Sequence, residues 1–182
     1  EFDKISNKLS ASGNVELIDT IKNYVIFSDN LVYFKDLEKI ITKKNSKAIY
    51  EKNKVIIADR FEYNKFSNIL NAKGNVKIED KVKNNIIYSN DVTYYKDLEK
   101  ITTKGKTNSF IQSKYKIKSE DIIFLINQQN LSSYKKTEVK DSKSNIYYLN
   151  KFNYQINDEL LKGEDVLIVT NFNLPKSDKF YL

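Results

Sequence analysis

The chain has no cysteine, no histidine, no methionine and no tryptophan among its 182 residues. Without cysteine there are no disulfides and no thiolate metal sites. Without histidine the usual general base and the commonest transition-metal ligand are gone. Proline occurs once, at Pro175, and glycine four times. Arg60 is the only arginine. No run of about 18 apolar residues is present, so no segment reads as a membrane-spanning helix. No secretory apolar segment heads the chain either, and it reads as a mature protein or an excised domain.

Hydrophobic residues make up 40% of the chain, enough for a packed core. The formal net charge is +7, which raises the question of an anionic partner. The lysines are spread evenly, however, and a chain rich in Lys, Asn, Ile and Tyr is also what an AT-rich genome encodes.

The chain repeats itself. KDLEKI occurs at Lys35–Ile40 and again 61 positions later at Lys96–Ile101. The likeness extends back to Ala11 and Ala72. Over Ala11–Ile40 and Ala72–Ile101, 16 of 30 aligned positions are identical. Repeats of this kind dictate architecture.

Each 61-residue unit contains two similar halves. Ser28, Ala58, Ser89, Ser119 and Leu149 recur 30 or 31 positions apart. Two residues before each lies Ile26, Ile56, Ile87, Ile117 or Tyr147. Three residues after comes Leu31, Phe61, Val92, Ile122 or Phe152. Five residues after comes an aromatic: Tyr33, Tyr63, Tyr94, Phe124 or Tyr154. Ile40, Leu70, Ile101, Leu131 and Leu161 form a further column. Around these columns the local period is two, the mark of a strand with one buried face, and the residues are β-branched or aromatic.

The alternation slips at Asp29–Asn30, Asp59–Arg60 and Asn90–Asp91, where Asx residues suit corners or bulges. Gly13–Asn14 and Gly74–Asn75 mark a second break, with positive φ expected. The KDLEK segments read as strand-to-strand turns, with Leu37 and Leu98 expected to tuck against the sheet. The expected fold is therefore all-β: a twisted stack of about five 30-residue strand-pair rungs, solenoid-like, whose columns become apolar ladders. Whether the rungs span two sheets, and whether the sandwich is open or closed, stays undecided at this stage.

The stretches AKGNVKI and ASGNVEL, each followed by a strand ending S-D/N-x-φ-x-Y, resemble the OstA family of lipopolysaccharide transport proteins, over roughly residues 1–170. That family includes LptA, LptC and the N-terminal domain of LptD. The resemblance implies a twisted β-jellyroll whose apolar interior carries lipid A acyl chains. It also implies a periplasmic location in a Gram-negative bacterium, with protomers joined through edge strands into a bridge towards the outer membrane. Within the family the chain looks most like the LptD N-terminal periplasmic domain. Residues 171–182 resemble the lead into an outer-membrane barrel, which implies that barrel and its lipoprotein partner as further contacts. Cysteines that link domain and barrel in some members have no counterpart here.

On that reading the lipid-contacting residues are Ile26, Leu31, Tyr33, Ile56, Phe61, Tyr63, Ile87, Val92, Tyr94, Ile117, Ile122, Phe124, Phe152 and Tyr154. A carbohydrate-active or adhesive β-solenoid is a second reading. Its enzymatic form would need paired carboxylates on adjacent rungs. The recurring Asp36, Glu38, Asp97 and Glu99 sit beside lysines at turns and read as a solvated rim. Nucleic-acid binding is disfavoured by the near absence of arginine and by tyrosines in a column expected to be buried. No enzyme activity and no cofactor are expected. The free edges at Glu1–Val15 and near Val166–Thr170 are expected to recruit further strands.

Overall fold

The computed structural model describes residues 1–21, 23–50 and 53–170. Residues 171–182, read above as a lead into a barrel, lie outside the described residues. Among the described residues nineteen strands form one antiparallel sheet. In chain order they are β1 (Phe2–Asp3), β2 (Lys8–Asp19), β3 (Tyr24–Phe34), β4 (Lys39–Lys43), β5 (Ser46–Tyr50), β6 (Lys54–Ala58), β7 (Arg60–Asn64), β8 (Ile69–Asp80), β9 (Asn85–Tyr95) and β10 (Lys100–Thr103). There follow β11 (Lys106–Ile111), β12 (Tyr115–Glu120), β13 (Ile123–Leu125), β14 (Asn130–Ser133), β15 (Thr137–Lys140), β16 (Ile146–Leu149), β17 (Lys151–Gln155), β18 (Leu160–Glu164) and β19 (Leu167–Val169). No helix is long and apolar enough to cross a membrane among the described residues.

The pairing is a simple meander folded down its middle. Each pass of the chain crosses two layers. In the first layer lie β1, the start of β2, the end of β3, then β4, β7, the start of β8 and the end of β9, continuing through β10, β13, β14, β17 and β18. The second layer takes the other halves of the long strands with β5, β6, β11, β12, β15, β16 and β19. The 30-residue period is thus one pass out and one pass back. Like residues recur on every second pass, which is why the ladders hold.

The corner between layers sits where the alternation slips. Ser28 and Leu31 are both buried although three residues apart, so β3 turns over at Asp29–Asn30 without breaking. Its partner β2 accommodates the fold with extra residues: the register shifts between Ser12 and Val15, and between Lys73 and Val76 in β8. Gly13 and Asn14 have φ of 80° and 47°, and Gly74 and Asn75 have 77° and 48°. Both are the left-handed conformations that Gly and Asn adopt at least cost.

Each KDLE is a four-residue turn at the layer margin, its last residue left-handed (Glu38 φ 44°, Glu99 φ 45°). The turns explain the 61-residue echo. Asn7 Nδ2 donates to Asp36 Oδ1 at 2.6 Å, and Asn68 Nδ2 donates to Asp97 Oδ1 at 2.8 Å. Two turn types, K-x-S-N and K-D-L-E, alternate because the amide of one caps the carboxylate of the next. The expectation for Leu37 and Leu98 is corrected here: they are 58% and 68% exposed. They occupy the third position of a tight turn, whose side chain points out from the margin.

Candidate interior site and seam

The space between the layers holds one hydrophobic cluster running from Tyr24 to Ile156. The isoleucine column, Ile26, Ile56, Ile87 and Ile117, faces it from the second layer. Leu31, Phe61, Val92, Ile122 and Phe152 face it from the first layer, and all nine are buried. Tyr63, Tyr94, Phe124 and Tyr154 are buried as well, whereas Tyr33 is half-buried near the first rungs. The intervening passes fill the gaps with Ile40, Leu70, Ile101 and Leu131, the column that the repeat also revealed.

In cross-section the interior has three strips. Along the corner runs a line of hydroxyls. Thr42 Oγ1 and Ser46 Oγ lie 2.6 Å apart, Thr107 Oγ1 donates to Thr103 Oγ1 at 2.7 Å, and Ser119 Oγ and Thr137 Oγ1 are 2.7 Å apart. These hydroxyls replace ladder bonds lost at the fold. The Phe61 N–H donates to Thr42 Oγ1 at 2.8 Å and the Ile122 N–H to Thr103 Oγ1 at 2.9 Å. Buried donors left unpaired would each cost about 1–3 kcal/mol. The middle strip is aliphatic.

The third strip is a tyrosine seam, where the free margins of the two layers meet. Tyr24 of the second layer packs edge-on against Tyr63 of the first, ring centroids 5.4 Å apart. Tyr50 meets Tyr94 at 5.3 Å and Tyr115 meets Tyr154 at 5.1 Å. Burial pushes the Tyr63 phenol up to about 12, with the Asp19 and Asp97 charges adding to it. The Tyr24 and Tyr154 phenols are raised too, first by burial and then by the Asp19 charge and by Tyr115 respectively. Ion pairs bridge the same margin: Lys65 Nζ lies 3.7 Å from Asp19 Oδ2, and Lys114 pairs with Glu159.

Tyr24, Tyr50 and Tyr115 were missed as site residues by the sequence reading. The place of Tyr24 and Tyr115 along the repeat is taken elsewhere by Lys54, Asn85 and Asn145, and that of Tyr50 by Lys81 and Ile111, so no period flags them. Asn85 marks a gap in the seam. It is 3% exposed, its Oδ1 accepts from the Gln112 N–H at 3.0 Å, and its Nδ2 has no partner among the described residues.

The interior is filled. Beneath the Tyr24–Tyr63 and Tyr50–Tyr94 pairs lies a cavity of about 40 Å³, lined also by Ile26, Ile56 and Leu70. A second, of about 20 Å³, lies beside Asn85 and Phe124. Spaces of that size take a water or two. A hydrocarbon tail enters only if the layers part, and the seam is where side chains alone hold them.

No family model matches the sequence, and no curated protein matches it. Among solved structures, this chain is similar to LptH of Pseudomonas aeruginosa, described as the LptA-homologous periplasmic component of its lipopolysaccharide transport device. The two are 9% identical, the match covers 100% of this chain and 98% of that one, and the TM-score is 0.28. A superposition that loose carries no argument about function, which has to be made from the chain's own geometry.

Proposed function

We propose that this chain is a lipopolysaccharide-transport module of the OstA type, with residues 1–170 forming its carrier domain. The observation that carries the reading is the single apolar cluster continuous from rung to rung between two layers. A lipid with a tail of about ten methylenes crossing water faces a cost on the order of 8 kcal/mol, at about 0.8 kcal/mol per methylene. An apolar interior removes most of that cost along its whole length. The G-N-V motifs support the family assignment independently of packing.

In this reading the seam parts, the tail lies against Ile56, Phe61, Ile87, Val92, Ile117 and Ile122, and the corner stays closed as the hinge. Lipid A acyl chains are the cargo. The end strands β2 and β18–β19 pair with other OstA-fold proteins, and residues 171–182 lead towards an outer-membrane barrel with its lipoprotein partner. The place of work is the periplasm of a Gram-negative bacterium, and the member most resembled is the LptD N-terminal domain.

A photo-crosslinking residue at Val92 or Ile122 in living cells is expected to capture lipopolysaccharide. The same residue at Glu38, Glu99 or Lys43 should capture little. The closely filled interior favours one other reading, a structural or adhesive β-stack without cargo. Equal labelling at ladder and turn positions, or none at either, would decide for that reading.

A further inference from the structure

The seam margin carries a feature that the interior does not explain. Its turns project large apolar side chains straight into solvent. Along the first-layer turns stand Ile5 at 99% exposure, Leu37 at 58%, Phe66 at 74% and Leu98 at 68%. Along the second-layer turns stand Ile21 at 95% and Val82 at 68%. The two rows belong to one edge of the molecule, because the tyrosine pairs and the Lys65–Asp19 contact hold the margins together. Folding gains nothing from these positions. A polar residue would serve each turn as well, and the later turns at Ile126–Gln129 and Ile156–Glu159 have polar tips.

The residues beside the tips also change along the edge. Each of the four apolar first-layer turns begins with lysine: Lys4, Lys35, Lys65 and Lys96. Lys81 and Lys83 flank Val82. In the later first-layer turns the lysine position is taken by Ile126 and Ile156, which are buried. Turns in one row are two strands apart, about 10 Å at 4.8 Å per strand. Tips so spaced do not merge into the contiguous apolar patch that a protein partner buries. They suit a fluid interface in which each tip finds its own place between headgroups, with the exposed Lys4, Lys35, Lys81 and Lys83 reaching phosphates while Lys65 stays paired with Glu38 and Asp19.

We propose that the seam edge over residues 1–101 docks on a phospholipid membrane surface, the turn tips inserted and anionic headgroups favoured by the exposed Lys4, Lys35, Lys81 and Lys83 and by the formal charge of +3 over residues 1–101, 18 Lys and Arg against 15 Asp and Glu. This goes beyond the cargo reading and does not depend on it. The docking is peripheral and reversible, since the tips are single side chains and not a spanning segment.

The chain has no tryptophan, which supplies a clean probe. Phe66→Trp and, as control, Gln128→Trp each place one indole on the same row of turns. With vesicles containing phosphatidylglycerol, the Phe66→Trp emission is expected to shift to the blue and the Gln128→Trp emission to stay put. The unsubstituted protein should float with the same vesicles, less so as salt rises. Phe66→Ser should weaken that partitioning about tenfold, and Phe66→Ser with Leu98→Ser should abolish it. Both positions are exposed, so the variants keep the fold, checked by their unfolding midpoint.

Three outcomes would overturn the proposal. One is the absence of flotation with phosphatidylglycerol vesicles. Another is flotation that the double variant leaves unchanged. The third is a vesicle-free dimer that the same substitutions dissolve, which would assign the tips to a second copy of this chain.

Discussion

The two long edges of the sandwich are closed by different chemistry. At the corner, backbone and side chain are stitched together on almost every pass. Asp29 accepts from Asn45 at 2.8 Å, Asp59 from Asn75 at 3.1 Å, Asp121 from the Gly105 N–H at 2.8 Å and Asp165 from Asn150 at 2.6 Å. Asp59 N–H also donates to the Gly74 carbonyl at 2.9 Å. At the seam no strand crosses among the described residues, and tyrosine rings and ion pairs join the margins. Ring contacts tolerate sliding and exposed ion pairs contribute little, whereas corner bonds fail all at once. The comparison teaches that one edge is closed through the backbone and the other through side chains alone.

The corner should break most expensively. At Gly74, φ is +77°, and a Cβ there would stand 2.1 Å from Asp59 Oδ2 and 2.9 Å from its Cβ. Gly74→Ala is expected to cost about 3 kcal/mol, strain and clash together. Gly13 has the same conformation, φ +80°, but nothing within 4 Å, so no side chain stands over it as Asp59 stands over Gly74. Gly13→Ala should cost only about 1 kcal/mol. Urea unfolding of the two variants side by side measures the difference, and equal losses would remove the Asp59 contact from the account.

Thr103→Val comes next. It keeps the shape and removes the acceptor of the Ile122 N–H and the partner of Thr107. A buried unpaired donor is expected to cost about 2 kcal/mol, again read from the urea midpoint.

The seam should respond to alkali where the corner does not. Tyr63 ionises near 10 when unfolded and near 12 in the fold. A raised phenol means that the neutral form is favoured by folding. That stability is therefore whole below pH 10 and is lost as pH rises from 10 towards 12. Tyr24 and Tyr154 act in the same direction. Stability measured across that range should fall, with less decline in Tyr63→Phe. At neutral pH, Tyr63→Phe loses only the bond to Asn68 Oδ1 at 3.0 Å, worth about 1 kcal/mol or less. Smallest of all is Lys114→Ala, which removes a solvent-exposed seam ion pair with Glu159 and should leave the melting temperature unchanged within error.

Much of this was legible in the sequence because it is local. A strand's alternation is written in neighbouring residues, so Ile56, Phe61, Ile87 and Val92 declare their inward face without reference to the rest of the fold. Gly13–Asn14 and Gly74–Asn75 declare their left-handed backbone for the same reason. Leu37 and Leu98 misled because an apolar residue in a turn carries no period to tell inward from outward.

The tertiary structure alone decided that each pass crosses two layers, that the Asx slips are the corner between them and that the opposite margin is a seam. Tyr24 finds Tyr63, and Tyr115 finds Tyr154, across layers. Such contacts join residues whose separation follows from how the sheet folds over, and no repeat encodes it. The same holds for the filled interior. The ladders determine that apolar side chains face one another, but the distance between layers is set by how those side chains interdigitate, and that is decided only when both layers are in place.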